Sequence, residues 1–395
     1  MNGILKWTVL TVVILIVLLF STLLIVSGVF QTKQYLEPWS PTYYQTFSDV
    51  RKQLIAHGLL AANGHNMQAW NFVLSEEDES KMDLYIDATR LSGEVDPDYR
   101  QLFISQGTLL EYMVIAGRVL GVQVQIEYFP HGELEETTIE SEFARKAIAR
   151  ITLNEAQPTE EILYPYIFQP DTNRGGYDAT QLNQTIIDAL LSVHEGDEIT
   201  MEFIQDEDRC AMIRQYAMDA AVIETNQELL MSETDAIFRA NESQKNQYRY
   251  GFSFEGQGKQ GIGMDLLQGL ITLFPGMAKG DSSKQVFLDS TAQSLTHTSS
   301  FLLIHTQNTS RVNQIEVGRL YSKLILQGHH LGLAMKPLSQ AIQVYDAMLP
   351  TYQAIHEVLD IDGTIYLLVR VGKPTQIAFP SMRMSVEQLI QEVQQ

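Results

Sequence analysis

Residues 61–70 carry side chains suited to holding a flat, polar ligand. The stretch reads Ala-Ala-Asn-Gly-His-Asn-Met-Gln-Ala-Trp and follows a helical pattern over Thr42–Leu60. Its polar side chains are Asn63, His65, Asn66 and Gln68. Neutral amide donors and acceptors beside Trp70 suit a polar heteroaromatic ring better than a metal ion or a phosphate. The alternative is a capped loop before a strand, because Asn63-Gly64 is a typical turn pair.

A second glycine-rich stretch imitates a nucleotide-binding loop. Residues 256–261 read Gly-Gln-Gly-Lys-Gln-Gly, which matches the G-x-G-x-x-G pattern of dinucleotide-binding folds. Such a loop follows a buried apolar strand, whereas Tyr248–Glu255 alternates aromatic and polar residues. We therefore expect no dinucleotide site here.

Several other classes of chemistry find no support in the sequence. The net charge of −21 argues against binding to nucleic acid, which requires a basic face. The single cysteine, Cys210, excludes an intrachain disulfide. The nine histidines show no metal-ligand spacing, and no Gly-x-Ser-x-Gly motif is present. We assign no metal ligand and no catalytic acid or base.

The amino-terminal part of the chain predicts a membrane anchor. Trp7–Phe30 is a run of 24 residues without a charge, which is long enough to span a bilayer. It ends in Ser-Gly-Val-Phe-Gln-Thr, a poor signal-peptide cleavage site, so we expect a retained single-pass helix. Lys6 precedes the span, while Lys33 and Glu37 follow it and cancel. This count favours the large part of the chain lying outside the cytoplasm.

Two stretches beyond the anchor share one spacing of glycines. Gly107–Gly121 and Gly318–Gly332 both read as helices bounded by glycines, with a third glycine at the eleventh position. An apolar segment follows each of them. The shared pattern predicts an internal duplication.

The remaining pattern is that of an α+β protein. The predicted strands are Asp83–Ala88, Val122–Phe129, Ala147–Leu153, Ile199–Gln205, Phe301–Thr306 and Ile365–Val371. The predicted helices are Glu160–Phe168, Gln181–His194, Asp208–Leu230 and Gln340–Leu359.

From about Tyr43 to its end, the chain resembles the tandem, Acg-type branch of the nitroreductase-like flavoproteins. The amide loop resembles the family's Pro-Ser-x-x-Asn-x-Gln-Pro-Trp motif, with Asn66 and Gln68 matching directly. The resemblance implies two tandem nitroreductase-like α+β domains that form a pseudo-dimer, behind one transmembrane helix. The implied division is an anchor at 1–34, a first domain at 35–168 and a second at 169–395. A lid insertion is expected at about 231–294.

The resemblance also implies a site for one FMN per chain. The first half would contribute its amide loop, and the second half a Thr-Asn-Arg segment, a strand-to-helix turn opening at Ser339, and a carboxy-terminal arginine. The cofactor-binding residues so implied are Asn63, Gly64, His65, Asn66, Gln68, Thr172, Arg174, Pro337, Leu338, Ser339, Gln340 and Arg383. Arg174 and Arg383 would bind the phosphate.

Three functions remain open at this point. The resemblance implies an FMN-dependent oxidoreductase that passes a hydride through flavin N5, with NAD(P)H as donor and a small nitroaromatic or quinone-like acceptor. The insertion could instead bury FMN so well that the protein stores it without turnover. A membrane-anchored binding module without flavin is the third alternative.

Overall fold

The structure is a computed structural model that describes residues 2–194, 196–278 and 280–391. The helices in this part of the chain are α1 (Asn2–Ser27), α2 (Val50–Gly58), α3 (Arg100–Leu120), α4 (Ile139–Glu142), α5 (Gln184–Leu191), α6 (Glu207–Thr225), α7 (Glu228–Ala236), α8 (Glu242–Tyr248), α9 (Ile262–Leu273), α10 (Asp281–Thr296), α11 (Arg311–His330) and α12 (Leu349–Leu359). The strands are β1 (Trp70–Leu74), β2 (Lys81–Ile86), β3 (Val122–Tyr128), β4 (Ala149–Glu155), β5 (Thr200–Ile204), β6 (Phe301–Thr306), β7 (Ala334–Pro337) and β8 (Thr364–Gly372).

The eight strands form two four-stranded antiparallel sheets with the same topology. The strand order is β1-β2-β4-β3 in the first sheet and β5-β6-β8-β7 in the second. One long helix lies in the middle of each unit in chain order. Helix α3 connects β2 to β3, and helix α11 connects β6 to β7. The predicted α+β class with two similar units is confirmed.

Helices α3 and α11 cross where one glycine of each helix lies against the backbone of the other helix. A Cβ on Gly107 would lie 1.9 Å from the carbonyl oxygen of Ile315, and a Cβ on Gly318 would lie 2.0 Å from that of Ile104. The reciprocal pairing relates the two helices as two subunits are related in a two-fold dimer. The shared glycine pattern therefore reflects a close contact between backbones, which only glycine permits.

The hydrophobic core explains why Trp70 stands where it does. Trp70 and Phe72 of β1 are fully buried with residues of α2 and α3. The Trp70 indole Nε1 donates to the carbonyl oxygen of Ser105 at 3.0 Å. Trp70 is therefore a core residue of the first unit.

Some predicted elements differ from the observed ones for local reasons. The helix expected over Gln340–Leu359 is wrong in its first half, where a single 3-10 turn spans Gln340–Ile342 before α12. Pro350 stands in the first turn of α12, the helix position that tolerates a missing N–H, so the chain cannot run helically through it. The helix expected over Asp208–Leu230 divides at Asn226, whose side-chain amide donates to the carbonyl oxygen of Val222.

Helix α1 packs against α9, which belongs to the segment expected to be an insertion. Gly3–Ser27 is long and apolar enough to cross a membrane, and its residues from Ile4 to Phe20 are exposed. The helix ends before Gly28, which has a φ of +76°. We use the name insertion for the segment from α7 to α10, which covers the expected residues 231–294; that this segment is an insertion stays a prediction.

Candidate functional site

Four segments that are distant in sequence meet around one small cavity. They are residues 62–66 of the amide loop, 170–174, 251–256 of the insertion and 379–383 near the carboxy terminus. The cavity measures about 40 Å³, which is room for a few water molecules. Asn63, Asn66, Thr172, Arg174 and Arg383 all line it. The structure therefore brings together five of the implied cofactor-binding residues.

The amide loop is held in a strained backbone conformation. His65, Asn66 and Gln68 have φ values of 52°, 54° and 49°, in the left-handed region. Asparagine tolerates this region, but each such residue generally costs about 1–3 kcal/mol, and such strain clusters at functional sites. The Asn63 side chain stabilises the loop by accepting a hydrogen bond from the Gln68 backbone N–H at 2.9 Å.

The amides of Asn66 and Gln68 tie the loop to the insertion and to the carboxy-terminal segment. The Asn66 Nδ2 donates to the carbonyl oxygens of Gly251 at 3.1 Å and Met382 at 3.0 Å. The Gln68 Nε2 donates to the Arg249 carbonyl at 2.9 Å, and its Oε1 accepts from the Met384 N–H at 2.9 Å. Gln68 is fully buried. Gln68 does not line this cavity, and the protein itself uses both ends of its amide, so its role as a cofactor-binding residue stays a prediction.

Arg383 is likewise engaged by the protein. It donates to Asn66 Oδ1 at 2.5 Å, Ser381 Oγ at 2.6 Å and the Leu60 carbonyl at 2.9 Å. Its guanidinium lies 3.9 Å from the Asp171 carboxylate and over the Trp39 ring, and it is 2% exposed. Only Nε lacks a partner among the described residues. Arg383 lines the cavity, but most of its donors are bound to protein atoms, so its assignment as a phosphate ligand stays a prediction.

A group of three cations lies beside the cavity, with the carboxylate of Asp171 as the opposing charge that acts on Arg174. Lys336 of β7 and Arg370 of β8 are directly paired across the two strands. Thr172 forms a bridge with Met335, the neighbour of Lys336, which brings Arg174 to the same place. Like charges directly opposite each other on adjacent strands are unfavourable. We call Arg174, Lys336 and Arg370 the cation group.

The members of the cation group differ in how they are paired. Arg370 is fully buried and donates to the carbonyl oxygens of Asn173, Gly175 and Ser294. Arg174 donates to the carbonyl oxygen of Gly256 at 2.8 Å. Within the described residues, the Lys336 ammonium makes no hydrogen bond or ion pair. Arg174 and Lys336 therefore retain N–H groups that could donate hydrogen bonds to an anion.

Burial and the positive charges of Arg370 and Arg174 lower the pKa of Lys336 to about 7 from its ordinary value of 10.5. Between pH 7 and pH 10.5, Lys336 is therefore protonated in the unfolded chain and largely deprotonated in the folded one, so the unfolded chain binds more protons. The free energy of unfolding should therefore rise with pH across this window, by at most about 1.4 kcal/mol per pH unit. We expect Lys336→Met to flatten this rise in denaturant unfolding measured at pH 7, 8 and 9. Equal slopes in the two proteins would contradict the placement of Lys336.

The implied turn Pro337–Gln340 does not line the cavity. Leu338 is buried in the core of the second unit, and the Gln340 side chain bonds to the buried carboxyl of Glu224. The helix expected to open at Ser339 is a 3-10 turn of three residues, which is too short to present a helix dipole.

Gly64, His65 and Gln68 border a second cavity of about 30 Å³ on the other side of the loop. The Gly64 N–H donates to Ser105 Oγ at 3.0 Å. The His65 ring lies 5.2 Å from that of Phe252, and burial lowers the pKa of the imidazole to about 4. A neutral imidazole at this place can only hydrogen-bond, and its Nδ1 has no partner among the described residues.

Sequence reasoning missed three residues of the site, which are Lys336, Arg370 and Asp171. Lys336 directly precedes the implied turn Pro337–Gln340, and that position was a usable signal. Arg370 is the only charged residue between Tyr366 and Gly372 in an otherwise apolar strand, and that isolation was a usable signal. Asp171 is buried with Oδ2 lacking a hydrogen bond among the described residues, and nothing in its local sequence marks it.

Comparison with known proteins finds similarity among solved structures. No protein-family model matches the chain, and no curated protein matches it. A Bacteroides fragilis nitroreductase with bound FMN is 9% identical, and the match covers 55% of this chain and 90% of that one with a TM-score of 0.32. An FMN-dependent nitroreductase of Mycobacterium smegmatis in complex with NADPH is 11% identical, with 59% and 98% covered and a TM-score of 0.35.

A third solved structure is the FMN- and NADPH-dependent nitroreductase of sphigopyxis sp. strain HMH. It is 12% identical and covers 57% of this chain and 95% of its own length, with a TM-score of 0.33. Similarity at this level carries no argument about the chemistry of this chain.

Proposed function

We propose that this protein is a membrane-anchored, FMN-binding oxidoreductase of nitroreductase type. The observation that carries the proposal is the cation group, in which Lys336 and Arg370 oppose each other and Arg174 joins them. Like charges held together at a partly buried site are unfavourable, and the single carboxylate of Asp171 does not balance three cations, so an added anion would stabilise the group. The strained amide loop and the position of the cavity between the two units add support.

The residues around the cavity fit the phosphate of FMN better than its ring in the form described. Arg174, Thr172 and Asn63 line the cavity and would offer a cation, a hydroxyl and an amide to the phosphate, against the opposing carboxylate of Asp171. Lys336 does not line the cavity but lies close enough to Arg174 to add its charge there. The cavity of about 40 Å³ is far below the roughly 300 Å³ at which ligand pockets begin. Binding of the ring therefore requires residues 251–256 to move away from the amide loop.

When bound, FMN would supply a ring that accepts a hydride from NAD(P)H and passes it to a nitro or quinone-like acceptor. The chain's own tasks would be to bind the phosphate, to orient the ring and to exclude water. Residues 251–256 exclude water in the closed form, because Gly251 and Asn66 exchange hydrogen bonds and Gly256 accepts one from Arg174.

The same closing contacts favour an alternative function, which is storage of FMN without turnover. An insertion fixed to the amide loop by Asn66 and to the cation group by Arg174 would slow both the loss of flavin and the entry of nicotinamide. The two functions differ in one measurable property, which is reduction of the bound flavin.

We expect the purified full-length protein to carry about one FMN per chain and to oxidise NAD(P)H when a quinone or nitroarene is added. The flavin spectrum and anaerobic reduction by each nicotinamide measure this. A flavin that neither nicotinamide reduces would favour storage. A colourless protein that takes up no FMN would overturn both functions and leave a binding module.

Membrane anchoring by α1 belongs to the proposal, with the large part of the chain outside the cytoplasm. Its support is the length, apolarity and exposure of Gly3–Ser27. The domain division at residues 34 and 168 also remains a proposal.

A further inference from the structure

Helix α9 of the insertion packs directly against the last turns of α1. A Cβ on Gly269 would lie 2.1 Å from the carbonyl oxygen of Leu23, so the two backbones touch. Leu23 and Ser27 of α1 are buried in this contact, 7% and 0% exposed, whereas the residues from Ile4 to Phe20 are open. The insertion is therefore joined to the one helix of the described chain that is suited to a membrane.

The contact lies at a depth that lipid would occupy if α1 spans a bilayer. About 20 helical residues cross the ~30 Å hydrocarbon core, and tryptophan marks its boundary. Counted from Trp7, such a span reaches about Val26. Leu23 then lies about 5 Å inside the boundary, given a rise of 1.5 Å per residue. Gly269, in backbone contact with Leu23, shares that depth.

The insertion exposes large apolar side chains next to this contact. Ile262, Leu273, Phe274 and Met277 are 70%, 45%, 57% and 53% exposed. Between residues 262 and 277 the sequence has a single charged residue, Asp265. Four large apolar side chains exposed within sixteen residues are uncommon on a protein that faces only water. Helix α9 pairs its interior backbone groups within the helix, as a lipid-exposed segment must, while its uncapped amino-terminal N–H groups at Gly261 require the polar surface of the leaflet.

We propose that residues 262–277, the apolar segment of the insertion, lie in the membrane beside α1 as a second lipid-contacting element. The partner is the acyl-chain region of the bilayer, because the segment continues the apolar surface of α1. Twelve helical residues are too few to cross, so the segment lies in one leaflet near its surface. This inference rests on the proposed anchoring by α1.

A buried polar network connects this segment to the cavity. Gln268 of α9 donates to the Glu255 carboxylate at 2.8 Å, and Lys245 forms ion pairs with Glu255 at 2.8 Å and Glu242 at 2.6 Å. Glu255 precedes Gly256, whose carbonyl accepts from Arg174. Glu242 also accepts from the Tyr35 hydroxyl at 2.8 Å, just beyond α1. The wall of the cavity is thus fixed to the membrane-facing segment.

Spin labels on single cysteines test the inference in the full chain, reconstituted in phosphatidylcholine vesicles. The native Cys210 is buried and is replaced by alanine to leave one label. The test positions are Phe274→Cys and Met277→Cys. Leu15→Cys reports on α1, and Ile162→Cys, a similarly exposed apolar position on the first unit, is the matched control.

We expect labels at 274 and 277 to collide more with lipid-soluble oxygen than with a water-soluble nickel chelate, as at 15, and the label at 162 to show the reverse. Labels at 274 and 277 that behave like 162, while 15 reports lipid, would overturn the inference and leave the anchor intact. A water-exposed label at 15 would overturn the anchor itself, and the inference with it. Because all four positions are exposed, the labels should not disturb folding.

Discussion

Gly318→Ala should destabilise the protein by about 3 kcal/mol or prevent it from folding, although it adds only one methyl group. That methyl would lie 2.0 Å from the carbonyl oxygen of Ile104, against about 3.4 Å for an ordinary contact. The obstacle is the backbone of α3, which no side-chain rotation can move. The two central helices must separate, and the core between the units loses its packing. Gly107→Ala should behave in the same way, because its contact with Ile315 is the reciprocal one.

Gly328→Ala is the matched control, since it makes the same change on the same helix. Its nearest neighbour is the terminal methyl of Met335 at 2.9 Å, which can move aside. Alanine also favours a helix over glycine by about 1 kcal/mol, so this variant should be neutral or slightly stabilised. Denaturant unfolding measures all three variants. If Gly318→Ala and Gly328→Ala unfold alike, the close crossing of α3 and α11 is wrong.

Arg383→Ala should cost about 3–5 kcal/mol of the free energy of unfolding, the usual loss when one partner of a buried charged pair is removed. The substitution leaves the buried Asp171 carboxylate without its nearby cation at 3.9 Å. It also removes the donors to Asn66 and to the Leu60 carbonyl, which stay buried. The free energy of unfolding of Arg383→Lys should lie between those of the unsubstituted protein and Arg383→Ala, because an ammonium keeps the charge but cannot reproduce the fork of donors.

Arg118→Ala provides the comparison for the loss of an arginine at the surface. Arg118 is half exposed and forms one ion pair with Glu161, so its removal should cost less than about 1 kcal/mol. If Arg383→Ala unfolded at the same denaturant concentration as Arg118→Ala and lost only flavin, Arg383 would be a phosphate ligand, as the family resemblance implies.

Much of the fold could be predicted from the sequence because it is encoded locally. The shared glycine spacing marked two similar helices, although α3 and α11 both begin seven residues before the first glycine, and the apolar strands stand out between turns. Strand β7 was recognised only as an apolar segment, since four residues ending in Pro337 carry too little pattern. Strand β1 was read as part of a ligand-binding stretch, because Trp70 follows a polar loop.

The site was predictable only in part, because its decisive contacts are not local. The sequence singles out the amide loop, but the hydrogen-bond partners of this loop lie far along the chain, at Gly251 and Met382. The amides of Asn66 and Gln68 therefore stabilise the protein, whereas the sequence suggested that they bind a ligand. The pairing of Lys336 with Arg370 depends on the register of β7 and β8, which only the folded sheet defines.

The central claim is that the cation group binds the phosphate of FMN, and comparison of FMN with riboflavin tests it most directly. The two ligands share the ring and differ in the phosphate. Each is titrated into the full-length protein, after removal of any copurified flavin, and into the Arg174→Met and Lys336→Met variants. Arg118→Met is the control, because it removes a half-exposed arginine that does not line the cavity.

We expect FMN to bind roughly 10- to 100-fold more tightly than riboflavin, which corresponds to about 1.5–3 kcal/mol for a charge-assisted contact. Arg174→Met and Lys336→Met should each lower the FMN affinity and leave that of riboflavin unchanged. Equal affinity of the unsubstituted protein for the two flavins, or binding of neither, would contradict the account.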